Sequence, residues 1–442
     1  MQPDPLRMMS PRPWLFCASI VIAARLLVAD AQLNWDEELY WQVAQAWNEG
    51  GLPYVDIFDH KAPLVYVVQL VYSGFSGSIW LLRASATLVL ALSAACFGLA
   101  MWPERKDLAV AFTFLVLLTL SAFGCLGANS EVLYAPYLLL TGAFLLRGSV
   151  LSAALAAAVA VNIKYPVGLD VIGVALFAIS SGRLARPTAI RFFAAFAITA
   201  SLVWLAFYAY FRLRGVDLIE ATITVNLAHA MSERRALLGA LGSYAVTRFV
   251  IVAASLGVWS LLSGARPDRS ARWGLLVWAA FSLLQAVITG KTYYHYFIPV
   301  YLPLSALLVS HWRTGQRVPW RRASVTLGAV LALATLGGAA AQYGHFAKAR
   351  EDLASGVCPR LRGRTVYVAD ELLATYRICN LRPGKFMFPP FVFQHHFVQV
   401  AGSEGLGELE AFEVVVVSPE SRFAPRVRAS RDGDVVELPV QP

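Results

Sequence analysis

Charged side chains are scarce in this 442-residue sequence. Asp, Glu, Lys and Arg together make up 15% of it, whereas hydrophobic residues make up 58%. A water-soluble domain needs more polar surface than this composition supplies. The composition therefore argues against an ordinary soluble fold and favours a polytopic α-helical membrane protein.

Cysteine is also scarce, with five in the whole chain. Cys17, Cys96 and Cys125 lie inside apolar runs, where the thiol behaves as a small hydrophobic group. Cys358 and Cys379 lie in the polar C-terminal tail and could form a disulfide if that tail is outside the cytoplasm. Two unpaired thiols remain the open alternative.

Positive charge exceeds negative charge by nine. The Arg and Lys residues fall in short loops between apolar runs, a pattern typical of topology determinants and of contact with anionic head groups. We therefore expect membrane lipids, and not nucleic acid, as partners.

The first apolar run, 15–28, follows a short basic segment and contains Arg25. A cleavable signal peptide has a similar pattern. A first transmembrane helix, with its N-terminus inside and Arg25 reaching outward to water, fits better. Further apolar runs lie near 61–79, 80–102, 107–126, 131–146, 149–163, 166–181, 190–211, 240–263, 273–289, 294–310 and 323–343.

The run at 61–79 decides the topology, because it is short and contains two Gly and a Pro. If it lies in the interface, the loops rich in Arg and Lys all face the cytoplasm, as the positive-inside rule requires. This predicts about eleven transmembrane helices, with juxtamembrane helices in an external first loop (31–79). The four basic loops are 104–107, 182–191, 264–272 and 311–322. The loop 211–240 is an exception, because it is external in this topology despite four Arg.

The chain becomes more polar from about residue 344. The segments RTVYVAD, FEVVVVS and DVVELPV predict strands, and ELLATYRIC predicts a short helix. We therefore predict a small external α/β module at 344–442, following a transmembrane domain at 1–343.

Charge is concentrated in the first loop. Three carboxylates open a predicted helix there, and Asn34 with Glu37 has the spacing of a capping box. Carboxylates in a first turn interact favourably with the helix dipole, which is the simplest explanation for one or two of them. It does not explain why a turn rich in Gly and Pro then leads into a second polar group. The two groups are Asp36, Glu37 and Glu38, then Asp56, Asp59, His60 and Lys61.

A turn between two interfacial helices would bring Lys61 close to Asp36. A carboxylate beside an ammonium at a lipid surface suits transfer from a phosphate ester. The carboxylate takes a proton from the acceptor, and the cation holds the departing phosphate. The sequence therefore predicts a catalytic first loop.

The same loop resembles the first external loop of glycosyltransferases that use polyprenyl-phosphate sugars. These are GT-C enzymes of the family 39/83-like group, which includes protein mannosyltransferases, the lipid A aminoarabinose transferase and lipopolysaccharide galacturonic-acid transferases. Its motifs are Asp36-Glu37-x-x-Tyr40, Gly51-x-Pro53-Tyr54-x-Asp56 and Asp59-His60-Lys61-x-Pro63. Weaker matches follow at Asn129-Ser130-Glu131, Lys164-Tyr165-Pro166 and His295-Tyr296-Phe297.

The resemblance implies a GT-C fold and a single inverting displacement on the external face of a bacterial inner membrane. It implies that Asp36 is the base, with Glu37 as the neighbouring acidic position, and that Lys61 contacts the donor phosphate. Ala62 stands where many relatives have a second proline, which leaves Lys61 in place. A divalent cation (Mg²⁺ or Mn²⁺) between the two carboxylates stays open.

Further polar residues complete the predicted site. Lys164 and Lys291 are predicted phosphate ligands, although a lysine reaching outward to water is the alternative for Lys164. Glu131 belongs either to the cavity or to the solvated interface. The other predicted cavity residues are Tyr40, Tyr54, Asp56, Asp59, His60, Tyr294 and His295.

Two other functions compete with a transferase. A transporter or flippase of a lipid-linked sugar would also need cavities and phosphate-binding cations, but transporters place ionisable residues near the bilayer midplane, often in inverted repeats. The acidic group here lies at the surface, and no repeat is visible. A structural subunit whose loop no longer catalyses is the third alternative. The sugar and the acceptor, whether lipid, glycan or protein, do not follow from the sequence.

Overall fold

The computed structural model describes most of the chain. The described residues are 11–29, 35–122, 127–227, 269–288, 294–312, 318–364, 366–368, 374–382, 414–417 and 434–437. The predicted span at 240–263 and the site residue Lys291 lie outside them.

Helices dominate the described residues. They are α1 (Arg12–Leu27), α2 (Trp35–Asn48), α3 (Leu64–Tyr72), α4 (Ile79–Met101), α5 (Lys106–Ala122), α6 (Ser130–Leu146), α7 (Val150–Ile163), α8 (Gly168–Ser180), α9 (Arg186–Arg212), α10 (Arg269–Ile288), α11 (Ile298–Trp312), α12 (Val318–Asp352), α13 (Cys358–Leu361) and α14 (Ala374–Ile378). Short 3₁₀ segments precede α8 at Tyr165–Val167 and α11 at Tyr294–Phe297, and π-helical turns lie at Ile219–Thr224 and Leu353–Val357.

Each apolar run predicted within the described residues contains a helix. Within the part of the chain that the structure describes, four helices are long and apolar enough to cross a membrane: Ile79–Met101, Arg186–Arg212, Ser270–Ile288 and Val325–Leu361. Four shorter apolar helices accompany them, at Ser130–Leu146, Val150–Ile163, Tyr165–Ser180 and His295–Ser310. The chain is therefore a helical membrane protein, and the total of about eleven spans stays a prediction.

Helix α3 has nine residues. At 1.5 Å per residue it extends about 14 Å, whereas the hydrocarbon core is about 30 Å thick. The helical part of the run 61–79 is thus too short to cross the membrane, which agrees with the predicted juxtamembrane position.

Two compact units make up the chain, and each is built from three separate stretches of sequence. The first consists of Met1–Leu27, Arg83–Phe207 and Glu233–Ala339, and the second of Val28–Leu82, Tyr208–Ser232 and Ala340–Pro442. The first loop therefore belongs to the same unit as the C-terminal segment. The predicted domains, 1–343 and 344–442, follow membrane topology and stay a prediction.

In the first unit, α8 packs against α10, α6 against α7, and α1 and α11 against α5. Small residues permit close approach between neighbouring helices, as is typical of membrane bundles. A Cβ added at Gly98 of α4 would lie 2.8 Å from the Cα of Ala109 on α5. Aromatic rings fill the space beside this contact, with Phe97 5.3 Å from Phe112 and 5.8 Å from Trp278, centroid to centroid.

The position of the Arg25 side chain differs from the one predicted from the sequence, which was outward to water. Its side chain does not reach outward, because the residue is only 1% exposed. Its Nε donates to Thr87 Oγ1 at 3.0 Å, and its Nη1 donates to Ser121 Oγ at 3.4 Å. Hydroxyl partners on α4 and α5 thus accept from two of the guanidinium nitrogens inside the bundle, where an unpartnered charge would be costly.

In the second unit, α2 packs against α3. The strands β1 (Val366–Val368), β2 (Val414–Val417) and β3 (Asp434–Glu437) form a parallel sheet in the order β1-β2-β3, with Val366 paired to Val414 and Val414 to Asp434. All three strands lie within the predicted strand segments, and α14 lies within the predicted helix. Cys358 and Cys379 form a disulfide.

We predict that Gly98→Leu lowers the free energy of unfolding by about 1–3 kcal/mol, because the side chain must displace the backbone of Ala109. The measurement is thermal unfolding in detergent. Gly337→Leu is the matched control, because a Cβ at Gly337 on α12 meets nothing within 4 Å. Equal losses of stability in the two variants would contradict the close approach of α4 and α5.

Candidate active site

The turn after α2 is built by glycine. Gly50 has a φ of +96°, which a residue with a side chain rarely adopts. Its N–H donates to Trp47 O at 3.1 Å, and the N–H of Gly51 donates to Ala46 O at 2.8 Å, the two bonds of a Schellman motif. A Cβ at Gly51 would lie 2.9 Å from that same oxygen. The two glycines therefore end α2 and reverse the chain.

Asp56 holds the next turn. Its Oδ2 accepts from the N–H of Leu52 at 2.6 Å, and its own N–H donates to Leu52 O at 2.9 Å. The residue is exposed. This local contact accounts for Asp56 as a turn residue, and its predicted role in a substrate cavity stays a prediction.

Asp59 lies at the centre of the loop and is completely buried. Its Oδ2 accepts from Tyr66 Oη of α3 at 2.8 Å, and its Oδ1 accepts from the N–H of His60 at 2.7 Å. Burial raises the pKa of the Asp59 carboxyl, and the positive charge of Lys61 is the largest opposing influence. Asp59 is thus held as a fixed internal acceptor.

Lys61 is oriented by three neighbours. Its Nζ lies 2.9 Å from His60 Nε2 and 5.4 Å from the centroid of the buried Tyr40 ring, within the range of a cation–π contact. Its backbone O accepts from Tyr54 Oη at 2.7 Å, and Tyr54 has a φ of +72°. A side-chain amide from Asn226 donates to the backbone O of His60. The ammonium is therefore placed by a preorganised shell.

An ammonium has only donors, so His60 Nε2 accepts from Lys61 and the imidazole proton resides on Nδ1. Nδ1 lies 3.5 Å from Asp59 Oδ1. The His60 imidazole therefore has the Asp59 carboxyl near one ring nitrogen and the Lys61 ammonium at the other, and the contact with Lys61 fixes its tautomer.

Asp36 and Lys61 both act electrostatically on Asp59, one raising its pKa and the other lowering it. Both predicted catalytic groups therefore lie within electrostatic range of the same buried carboxylate, and their catalytic roles stay predictions. Asp36 is partly exposed, whereas Glu37 is completely buried. Adjacent helix positions do not share a face, and this difference makes Asp36 the accessible carboxylate of the pair.

Glu38, also completely buried, has a partner far away in the sequence. Arg377 Nη2 donates to Glu38 Oε1 at 2.7 Å, and Arg377 Nε donates to Oε2 at 3.2 Å. This two-point contact joins α2 to α14.

A second polar cluster lies in the first unit. Asn129 caps α6 by accepting from the N–H of Val132 at 3.1 Å. Glu131 then pairs with Lys164 and accepts from Ser130 Oγ at 2.9 Å. The ammonium of Lys164 also lies 3.7 Å from the ring centroid of Tyr296.

The neighbouring residue, His295, interacts electrostatically with Glu131. Glu131 is 1% exposed, so it is an interior group and not a solvated one. Three residues predicted separately therefore form one cluster: Glu131, Lys164 and His295. Tyr294 opens the adjoining 3₁₀ turn.

Several polar residues of the interior were not predicted from the sequence. Ser282 on α10 donates to the buried Asp170 on α8, inside segments whose composition is almost uniformly apolar. Tyr66 follows Asp59 by seven residues, a spacing that by itself indicates no contact. Asn226 and Arg377 are separated from their partners by 166 and 339 residues, so no local pattern could have paired them.

Among the described residues, no group of three or more His, Cys, Asp or Glu is arranged to hold a metal ion. A divalent cation at Asp36 and Glu37 therefore stays an open alternative, which no ligand spacing in the sequence indicates.

No family model and no curated protein matches the chain. Solved structures do match. ArnT from Cupriavidus metallidurans in the apo state aligns with a TM-score of 0.54 and 15% identity, covering 85% of this chain and 86% of that one. The chain has the ArnT fold. ArnT from the same organism bound to undecaprenyl phosphate aligns with a TM-score of 0.53 and 16% identity, over 85% of each chain.

ArnT is a GT-C glycosyltransferase, so the GT-C fold expected from the first-loop motifs is confirmed. At this identity the likeness to ArnT shows the fold alone. The roles of individual side chains rest on the geometry described above.

We predict that Tyr66→Phe lowers the free energy of unfolding by about 1–3 kcal/mol, because it removes a donor from a buried carboxylate oxygen. Tyr343→Phe is the control, since Tyr343 is exposed on α12. Thermal unfolding of both variants measures the difference. An unchanged Tm for Tyr66→Phe would contradict the internal role of Asp59.

We predict a larger loss, about 3–5 kcal/mol, for Lys164→Met, because Glu131 then keeps a buried charge without its cation. The double variant Glu131→Gln/Lys164→Met should regain most of that stability. Lys348→Met, at an exposed lysine, should have little effect. If the double variant is no more stable than Lys164→Met, the ion pair is not the cause of the loss.

Proposed function

We propose that the protein is an inverting glycosyltransferase of the external face of a bacterial inner membrane. It moves a sugar from a polyprenyl-phosphate-sugar donor to a lipid, glycan or protein acceptor. One observation supports this proposal: in a chain with the ArnT fold, an accessible carboxylate, Asp36, and an oriented ammonium, Lys61, both act electrostatically on the buried Asp59. A structure of ArnT bound to undecaprenyl phosphate supports the choice of donor class.

In this mechanism, Asp36 accepts the proton of the acceptor's nucleophilic group. The nucleophile forms a bond to the anomeric carbon while the bond from that carbon to the phosphate oxygen breaks. The electron pair of the broken bond stays on the phosphate, whose charge Lys61 stabilises. Because the nucleophile attacks the face opposite the leaving group, the configuration at the anomeric carbon inverts.

The buried residues supply preorganisation. His60, Tyr40 and Tyr54 hold Lys61 in place before substrate arrives, so little reorganisation is needed when the phosphate charge develops. Neutralised phosphate is a good leaving group, and the mechanism requires no strong general acid. Lys164 and Lys291 are proposed as further phosphate ligands, and Glu131 orients Lys164.

The disulfide between Cys358 and Cys379 supports the external location. Disulfides persist outside the cytoplasm and are rare within it. This supports an external location for the C-terminal segment that contains them, on the side proposed for the first loop.

One observation favours the alternative of a lipid or sugar-lipid transporter. Asp170 is a fully buried carboxylate inside an apolar helix and is paired with Ser282 of another helix. Ionisable residues inside membrane segments often mark transport pathways. The turnover experiment below separates this alternative from the transferase.

We predict that Asp36→Asn lowers sugar transfer by about 10²–10⁴-fold, the usual contribution of a general base, while donor affinity is kept. Lys61→Met should raise the Kd for the donor by about 10–100-fold, as expected for a lost charge-assisted hydrogen bond. The measurements are sugar release and donor binding with a radiolabelled polyprenyl-phosphate-sugar panel. Glu49→Gln, an exposed carboxylate just after α2, is the control.

Full activity of Asp36→Asn would remove the proposed base. If the wild type releases no sugar from any donor but moves labelled lipid across vesicle membranes, the transporter replaces the transferase.

A further inference from the structure

Glu38 and Arg377 form a two-point contact with a well-defined geometry. Two of the three guanidinium nitrogens, Nε and Nη2, donate to the carboxylate, one oxygen each, at 3.2 and 2.7 Å. The side chain of Glu38 is 0% exposed and that of Arg377 17% exposed. A planar fork facing a carboxylate fixes direction as well as distance, and lysine cannot reproduce it. Such a contact fixes the orientation of α2, which carries Glu38, relative to α14, which carries Arg377.

Arg377 is itself held on both sides. Before it, Tyr376 Oη accepts from the N–H of Val368 in β1 at 3.0 Å. After it, Cys379 is bonded to Cys358. Helix α14 has only five residues, too few to be stable alone in water. The strand contact and the disulfide therefore provide the rigidity that the short helix lacks.

Glu38 lies in the first turn of α2, one residue from Glu37 and two from Asp36. Residues this close in a helix move together, because the backbone hydrogen bonds of the turn fix their spacing. A contact that holds Glu38 in place therefore also holds Asp36, which carries the accessible carboxylate.

We propose that Arg377 is a positioning residue for catalysis, acting through Glu38 to hold the first turn of α2. The C-terminal segment would then be a brace, anchored by the Cys358–Cys379 disulfide, that sets the angle at which Asp36 meets the acceptor. This inference rests on the proposed transferase function. It assigns the segment a role in the chemical step, independent of the choice of acceptor.

We expect a brace on Asp36 to affect transfer more than donor binding, since Lys61 and its contacts His60 and Tyr54 all follow the turn that ends α2. We expect Arg377→Ala to lower kcat by about 10²-fold, the effect of a misplacement near 1 Å. The Kd for the polyprenyl-phosphate-sugar donor should stay within about threefold of wild type. Arg382→Ala is the matched control, because Arg382 is an exposed arginine of the same segment.

A second measurement does not depend on turnover. Hydrogen exchange of the peptide 35–48 should become at least about tenfold faster in Arg377→Ala, because the first turn of α2 loses its anchor. The same peptide should be unchanged in Arg382→Ala. If the wild type transfers no sugar, the proposed function fails, and the exchange experiment still tests the brace.

Two further variants test whether misfolding alone explains a loss of kcat. Arg377→Lys keeps the charge but not the fork, so its kcat should lie between those of the wild type and Arg377→Ala, with a Tm close to wild type. Cys358→Ser/Cys379→Ser should reproduce the kcat loss in part, again with donor binding kept.

Three outcomes would count against the brace. Unchanged kcat in Arg377→Ala, in an active wild-type background, overturns the proposal. A fall in kcat accompanied by an equal weakening of donor binding and a loss of Tm, with Arg377→Lys no better, assigns Arg377 a purely structural role. Wild-type exchange and kcat in the double serine variant would remove the disulfide as the anchor.

Discussion

A buried carboxylate must have a partner, and this requirement shapes both polar regions of the protein. Asp59 accepts from Tyr66, Glu38 is paired with Arg377, and Glu131 is paired with Lys164. Each partner lies on a different segment from its carboxylate. An ionised group left alone at these positions would cost several kcal/mol. Providing each buried carboxylate with a partner therefore also determines which segments contact each other. The same contacts stabilise the buried groups and define the fold.

The same requirement separates the proposed catalytic residues from the residues that support them. Asp36 alone among the first-turn carboxylates of α2 is partly exposed, while Glu37 and Glu38 are completely buried. The exposed group is the proposed proton acceptor, and the buried Glu38 joins α2 to α14 through Arg377. Lys61 is likewise partly exposed, and its ammonium is supported by His60 and Tyr40. Reactive groups on fixed supports are what a transfer reaction at a membrane surface needs.

Much of the fold followed from periodicity and length. Apolar runs predicted the helices of the described bundle, and the polar tail predicted the strands at 366–368, 414–417 and 434–437. The resemblance of the first loop predicted the GT-C fold, which the likeness to ArnT confirms. Arg25 was the clear failure. A lone arginine near a helix end can find hydrogen-bond partners in water or in internal hydroxyl groups. The sequence does not show that Thr87 and Ser121 face Arg25.

By itself, the sequence determined the helical membrane class, the presence of a charged first loop and the chemical types of its residues, because hydropathy and residue identity are local properties. Only the tertiary structure decided which carboxylate is exposed and which cation each buried carboxylate meets. Those outcomes depend on contacts such as Glu38 with Arg377, 339 residues apart. Side chains so distant along the chain are brought together by packing, and no pattern within one segment encodes their pairing.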